Sequence, residues 1–384
     1  MDAYLDHAAT TPLRPEALAA MLPWLGERFG NPSGAHRVAR EARRAVDEAR
    51  EAIAAVLGAR PGEVVFTANG TEAANLAVLG VARRRPGAVV CSAVEHHAVL
   101  RSCAAVGGTT VAVGGDGVLD LDELVLQLHP GVSLVAVMAA NNETGAFQPL
   151  EEVEALVRTR APNAAVFSDA VAAVPAADPA RLMAGVDLLS LSAHKFGGPK
   201  GAGVLVVRSG TALAPLLHGG SQERDRRPGT HDVAGIVGMA AALVAAAARR
   251  VEECERVGAL RDRLADGLLA AVPDTTEHGP SRRPGRAGDP DAGSRRLPGI
   301  VNLGFAGVDD EELLVLLDDE GVQASAGAAC ASGAAEPSHV LRAMGLSPAQ
   351  ARSAVRFSLG HATTEAEVGH ALAVVPKAVE RLRA

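Results

Sequence analysis

The stretch "DLLSLSAHKFGGPKGAGVLVVR" (187–208) sets two apolar runs on either side of a turn made of Ser, Ala, His, Lys and glycines. The first run is apolar nearly throughout, as a strand buried on both faces must be, and so is the second. The same kind of run recurs upstream: "EVVFTA" (63–68), "AVVCSA" (88–93), "TTVAV" (109–113), "VSLVAVMA" (132–139) and "AAVFSDA" (164–170). Helix-like stretches separate them. At 34–57, Ala42, Ala45, Val46, Ala49, Ile53, Val56 and Leu57 recur at three- and four-residue steps among Arg and Glu. Residues 15–28 also read as helical. Buried strands alternating with amphipathic helices predict an α/β fold, with a mostly parallel central sheet covered on both faces.

Beyond residue 233 the pattern changes. A long Ala-rich helix (233–271) leads into the Gly/Pro/Arg/Asp segment at 280–298, read as a solvated loop. After it come "IVNLGF", a helix at 309–320, "EPSHVLRAMG", "SAVRFSL" and a terminal helix. This order suggests a smaller α+β domain, formed by residues 1–14 and 251–384, beside a large domain at 15–250.

Composition excludes several functions. Aromatic residues make up 2% of the 384 and the formal net charge is -8, against a stacking or phosphate-backbone surface for nucleic acid. No basic-then-apolar leader opens the chain, and no apolar run approaches the roughly 20 residues of a membrane span. Cys91, Cys103, Cys254 and Cys330 lack CxxC spacing, so neither a disulfide framework nor a zinc knuckle is expected, and no other metal site. The expected setting is a reduced cytoplasm.

In open α/β sheets reactive groups gather at the carboxyl ends of strands. Five successive runs end in polar residues: Asn69-Gly70-Thr71-Glu72, Glu95-His96-His97, Asn141-Asn142-Glu143, Asp169, and Ser192-Ala193-His194-Lys195. This set suits pyridoxal phosphate. A lysine amine can condense with the aldehyde, and an aspartate can pair with the ring nitrogen to keep the ring an electron sink. Gly70 and Thr71 at a helix start, with Ser192 and His194, can hold the phosphate. Each residue alone has an ordinary structural reading: Lys195 a solvated charge, His96 a surface histidine, Asp169 and Thr71 caps, Asn142 a turn. Their convergence carries the assignment.

The chain resembles the cysteine desulfurases of the class V aminotransferase group (fold type I), in the subgroup with a long cysteine loop. The segments are "YLDHAATTP" (4–12), "FGNPSGAHR" (29–37), "VVFTANGTEAANLAV" (64–78), "VEHHAVL" (94–100), "NNETG" (141–145), "SAHKFGGPKGAG" (192–203), "HGGSQERDRRPGTHD" (218–232), "SAGAACASG" (325–333) and "VRFSLGHATT" (355–364). The resemblance implies that Lys195 holds the cofactor and shuttles the Cα proton, Asp169 pairs with the ring nitrogen, and His96 stacks on the ring and helps move protons. Thr71, Ser192 and His194 would bind phosphate, joined by Thr230 from the other subunit of a homodimer with shared sites. Asn142 and Arg356 would hold the substrate carboxylate.

Cys330, in a small-residue loop at about 323–335, would be the nucleophile that takes sulfur from L-cysteine, releasing L-alanine and passing the persulfide to an acceptor protein. Iron–sulfur cluster assembly and tRNA thiolation are the implied destinations. The family's glutamine three residues after the ring-nitrogen aspartate is replaced here by Ala172, and "RPGT" stands for "RSGT". The missing amide predicts an altered pKa at the lysine–cofactor bond and slower turnover, with the cofactor still bound. Other reactions on this scaffold stay open: selenocysteine lyase, cysteine sulfinate desulfinase, an aminotransferase, or a weakly catalytic sulfur-carrier scaffold.

Overall fold

The computed structural model describes residues 2–282, 295–326 and 336–384. Cys330, most of the cysteine loop and residues 283–294 of the Gly/Pro/Arg/Asp segment lie outside the described residues. The strands are β1 (Ala3–Tyr4), β2 (Val64–Thr67), β3 (Ala88–Ser92), β4 (Thr109–Val111), β5 (Val132–Ala136) and β6 (Ala165–Asp169). They continue with β7 (Leu188–Ser192), β8 (Gly203–Val207), β9 (Thr275–His278), β10 (Ile300–Phe305), β11 (Val322–Gln323) and β12 (Ala354–Ser358).

All seven apolar runs become strands of one sheet, in the order β2-β8-β7-β6-β5-β3-β4. It is parallel except for β8, which runs antiparallel to both β2 and β7. The opening stretch is therefore a hairpin of two buried strands, and Lys195 sits in its turn. Strands β5, β7 and β8 are buried at every position, which explains why their sequences do not alternate.

One apolar cluster lies against the helix Arg37–Leu57 and the first half of the helix Val233–Ala271; another packs the helix Gly70–Arg84 on the opposite face. A separate cluster joins the second half of Val233–Ala271 to β10, β12 and the helices Asp310–Asp319 and Glu365–Arg383. The 39-residue helix thus belongs to both cores. By length and composition it could span a membrane, unlike the expectation from sequence, yet over half of its most apolar window is buried within the protein. A core helix passes the same test.

Candidate active site

The segments leaving the carboxyl ends of the strands converge on one edge of the large sheet. Asn69 caps the helix Gly70–Arg84, its Oδ1 accepting from the Glu72 N–H at 2.8 Å. The N–H groups of Gly70 and Thr71 are left without intrahelical acceptors, an arrangement suited to an anion. Gly70 is needed for close approach: a Cβ there would stand 2.9 Å from Val171 Cγ2. Asp169 ends β6, Ser192 ends β7, and Ala193–Lys195 form one 3-10 turn. Gly70, Thr71, His96, Asn142, Asp169, Ser192, His194 and Lys195 all line one cavity of 360 Å³, closed on the far side by Arg356 of β12 and by Ala8 and Ala9. Thr230 is exposed and does not line it.

The side chains are held in defined states. Asp169 Oδ1 accepts from the Val171 N–H at 2.9 Å and the Ser190 hydroxyl at 3.1 Å, which leaves Oδ2 for a ring N–H. His96 caps the helix His97–Ala105, its Nδ1 accepting from the Ala98 N–H at 3.1 Å, so the neutral ring carries its proton on Nε2. Burial lowers the His96 pKa although the Asp169 charge opposes it. His194 is lowered to about 4 by burial, then by Lys195 and Lys200. Lys195 Nζ donates to the carbonyls of Ala8 and Ala9, the latter at 2.9 Å. Glu95 is fully buried behind the site, and burial raises its carboxyl well above the usual range.

Several site residues carry no role in the sequence reading. Asp6 accepts from Arg356 Nη2 at 2.6 Å across 350 positions, while Nη1 donates to the Asn142 carbonyl at 3.1 Å. The Asn142 contact to Arg356 is thus through its backbone. The rings of His97 and His339 are in contact, with centroids 4.4 Å apart and planes tilted by 38°, and His339 Nε2 donates to the Glu95 carbonyl at 3.0 Å. Ala172 lines the cavity without supplying a polar group, and also lines a neighbouring cavity of 100 Å³ that reaches Cys254, His361 and Leu297.

The loop that carries Thr230 is clamped. Glu223 accepts from Arg50 at 2.6 and 2.8 Å, from the Phe66 N–H at 2.8 Å, and lies 2.6 Å from His231 Nε2. Glu223, Arg224 and Asp225 all hold positive φ (50°, 57° and 61°), strain that this clamp must offset. Desolvation would raise the Glu223 pKa, but the Arg50 and His231 bonds outweigh it and lower the value from 4.5 to about 2. A depressed carboxylate stabilises the fold above its unfolded pKa and loses that contribution as pH falls through the folded one. Glu223→Gln is expected to lower unfolding free energy by about 3 kcal/mol at pH 7. In denaturant titrations the gap to the native chain should shrink between pH 4.5 and 2; a constant gap would disprove the assignment.

A lysine, a carboxylate, an imidazole and an anion cradle at one sheet edge suit the chemistry of a pyridoxal-phosphate enzyme of the α/β class. Residues 3–370 match the family described as "Aminotransferase class-V". The chain is 41% identical to the cysteine desulfurase IscS of Dictyoglomus turgidum, covering all of this chain and 95% of that one. It is 44% identical to the IscS-like cysteine desulfurase of Mycobacterium tuberculosis, over 99% and 97%. Among solved structures, a NifS-like protein superposes with TM-score 0.90 at 33% identity, covering 99% of this chain and 100% of that one. SspA in complex with cysteine gives TM-score 0.76 at 30% identity, over 94% and 100%. The chain belongs to the class-V aminotransferase family and, within it, to the cysteine desulfurases. Its cofactor is pyridoxal phosphate, which the donor set at Gly70, Thr71, Ser192 and His194, the Asp169 carboxylate and the Lys195 amine fit.

Proposed function

We propose that the enzyme converts L-cysteine to L-alanine, with the sulfur taken up as a persulfide on Cys330. The convergence of Lys195, Asp169, His96 and Arg356 on one cavity supports this reading above any other observation. Bound pyridoxal phosphate supplies an electron sink at the substrate Cα, held by Lys195, Asp169 and the phosphate cradle of Gly70, Thr71, Ser192 and His194. Arg356 binds the substrate carboxylate through its planar fork, with Asn142 beside it. Lys195 Nζ takes the Cα proton, and Cys330, as thiolate, attacks the substrate sulfur. The C–S bond breaks, His96, whose Nε2 carries a proton, supplies one to the carbon that held the sulfur, and Lys195 returns the proton it took to Cα. One cysteine and one thiol thereby give one alanine and one persulfide.

A homodimer with Thr230 supplied by the other subunit fits its exposure away from its own cavity. An apolar stripe on and after the helix Pro15–Leu25 (Leu18, Leu22, Leu25, Phe29) offers surface for such a contact. The domain division near residue 250, a cytoplasmic setting, and transfer to an acceptor protein for iron–sulfur cluster assembly or tRNA thiolation complete the proposal. The test is stoichiometry. Incubated with L-cysteine, the protein should yield equal amounts of alanine and transferable sulfane sulfur, and a keto acid without persulfide would identify an aminotransferase instead.

A further inference from the structure

The three-stranded sheet β9-β10-β12 has two faces of opposite character. Val301, Leu303 and Phe305 of β10, with Val355 and Phe357 of β12, are buried in an apolar core. The alternate positions hold Asn302, Gly304, Arg356 and Ser358, which period-two alternation puts on the other face. Register makes Asn302 the direct partner of Arg356 on one side and of His278 on the other. Side chains so paired share a face, with Cβ atoms about 5 Å apart.

This polar row is deeply buried: Asn302 is 0%, Arg356 2% and His278 8% exposed. Buried polar atoms ordinarily have partners. Here Oδ1 and Nδ2 of Asn302, Nε of Arg356 and Nε2 of His278 have none among the described residues. The row begins at Arg356, whose Nη1 and Nη2 already point to the Asn142 carbonyl and Asp6. Gly304 gives the far end its room, since a Cβ there would fall 2.6 Å from His278 Nε2. A leucine or valine would suit the central strand better on stability alone.

We propose that Asn302 is a positioning residue for substrate recognition, holding the Nε edge of Arg356 through a bridging water so that the guanidinium meets an amino-acid carboxylate in one orientation. This rests on the reading of Arg356 as the carboxylate binder. The chemistry of the groups sets their hydrogen-bond roles. Arginine only donates, so the bridging water accepts from Nε–H and donates to Oδ1 of Asn302, which leaves Nδ2 as the donor facing His278. His278 then accepts at Nε2 and carries its proton on Nδ1. Bridged contacts of this kind are nearly as favourable as direct ones and span the cross-strand gap.

The test is made on holoenzyme. Asn302→Leu should raise KM for L-cysteine about tenfold with kcat within about twofold, the signature of lost ground-state and transition-state binding in equal measure. Affinity for the product L-alanine, read by spectral titration, should fall by the same factor. Thermal stability should hold or rise. Asn302→Asp, which keeps an oxygen toward Arg356, should stay within about threefold of native KM. Native KM and alanine affinity in Asn302→Leu would overturn the proposal; if that variant does not fold, Asn302→Ala decides on the same two measurements. Arg356→Ala is the control. If it too leaves KM and alanine affinity unchanged, the carboxylate assignment has failed; if it weakens both while the Asn302 variants do not, only the inference about Asn302 has.

Discussion

Lys195→Ala is expected to reduce desulfuration to below about one ten-thousandth of the native rate, since in the proposed mechanism one residue supplies both the covalent anchor and the proton shuttle. The purified variant should also lose the visible absorbance of the native holoprotein. Lys195 is one of only three lysines among 37 basic residues, the others being Lys200 and Lys377. Elsewhere the chain uses arginine, which cannot deprotonate at working pH. Among the described residues it is the sole lysine in the cavity wall, and its Nζ is held by the carbonyls of Ala8 and Ala9. Lys195→Arg separates the two possible uses of a cation here: charge is kept, and the amine that can bond or accept a proton is lost. Both variants should be equally inactive. A Lys195→Ala protein that keeps its colour and turnover would remove the basis of the cofactor assignment.

The sheet is legible in the sequence because burial on both faces leaves a simple record in its inner strands, apolar runs that mostly end where a polar residue is delivered to one edge; the edge strand β4, with Thr109 and Thr110 exposed, carries it least. Lys195, Asp169 and Thr71 can be read for that reason. Contacts set by tertiary closure leave no such record. Asp6 meets Arg356 across 350 positions, and nothing local in "YLDHAATTP" assigns that carboxylate a partner. The clamp on Glu223 is hidden in the same way, as its partners Arg50 and Phe66 lie more than 150 positions upstream and its left-handed backbone runs through Glu, Arg and Asp rather than glycine. Asn302 sits in "IVNLGF" as one polar residue in an apolar strand, a local inconsistency visible in the sequence. Such inconsistencies concentrate at functional sites. Its meaning needs the register that lines it up with Arg356 and His278.

Cys330→Ala should bind cofactor and substrate as the native chain does, melt at the same temperature, and make alanine at least about a thousandfold more slowly with no protein-bound persulfide. The other three cysteines are poor rivals. Cys91 and Cys103 are each 1% exposed, and the Cys103 contact, followed by burial, pushes the Cys91 thiol far up. Burial also raises Cys254, which donates to the Ala176 carbonyl at 3.5 Å. Raised in this way, the Cys91 and Cys254 thiols hold little thiolate. Cys330 lies five positions after Ser325, a reach of roughly 18 Å at full extension. Ser325 is itself bonded to the Arg356 backbone in both directions, at 2.7 and 3.2 Å. On the other side, Ser338 donates to Glu143 and His339 lines the cavity wall. The chain is therefore anchored beside the cavity before and after the cysteine. Cys254 is the informative alternative, because it lines the neighbouring cavity that also touches Lys195 and Ala172. Peptide mass spectrometry after a brief exposure to L-cysteine distinguishes them. A sulfur adduct on the Cys330 peptide alone is expected, and one on the Cys254 peptide that persists in Cys330→Ala would transfer the nucleophile's role to that residue.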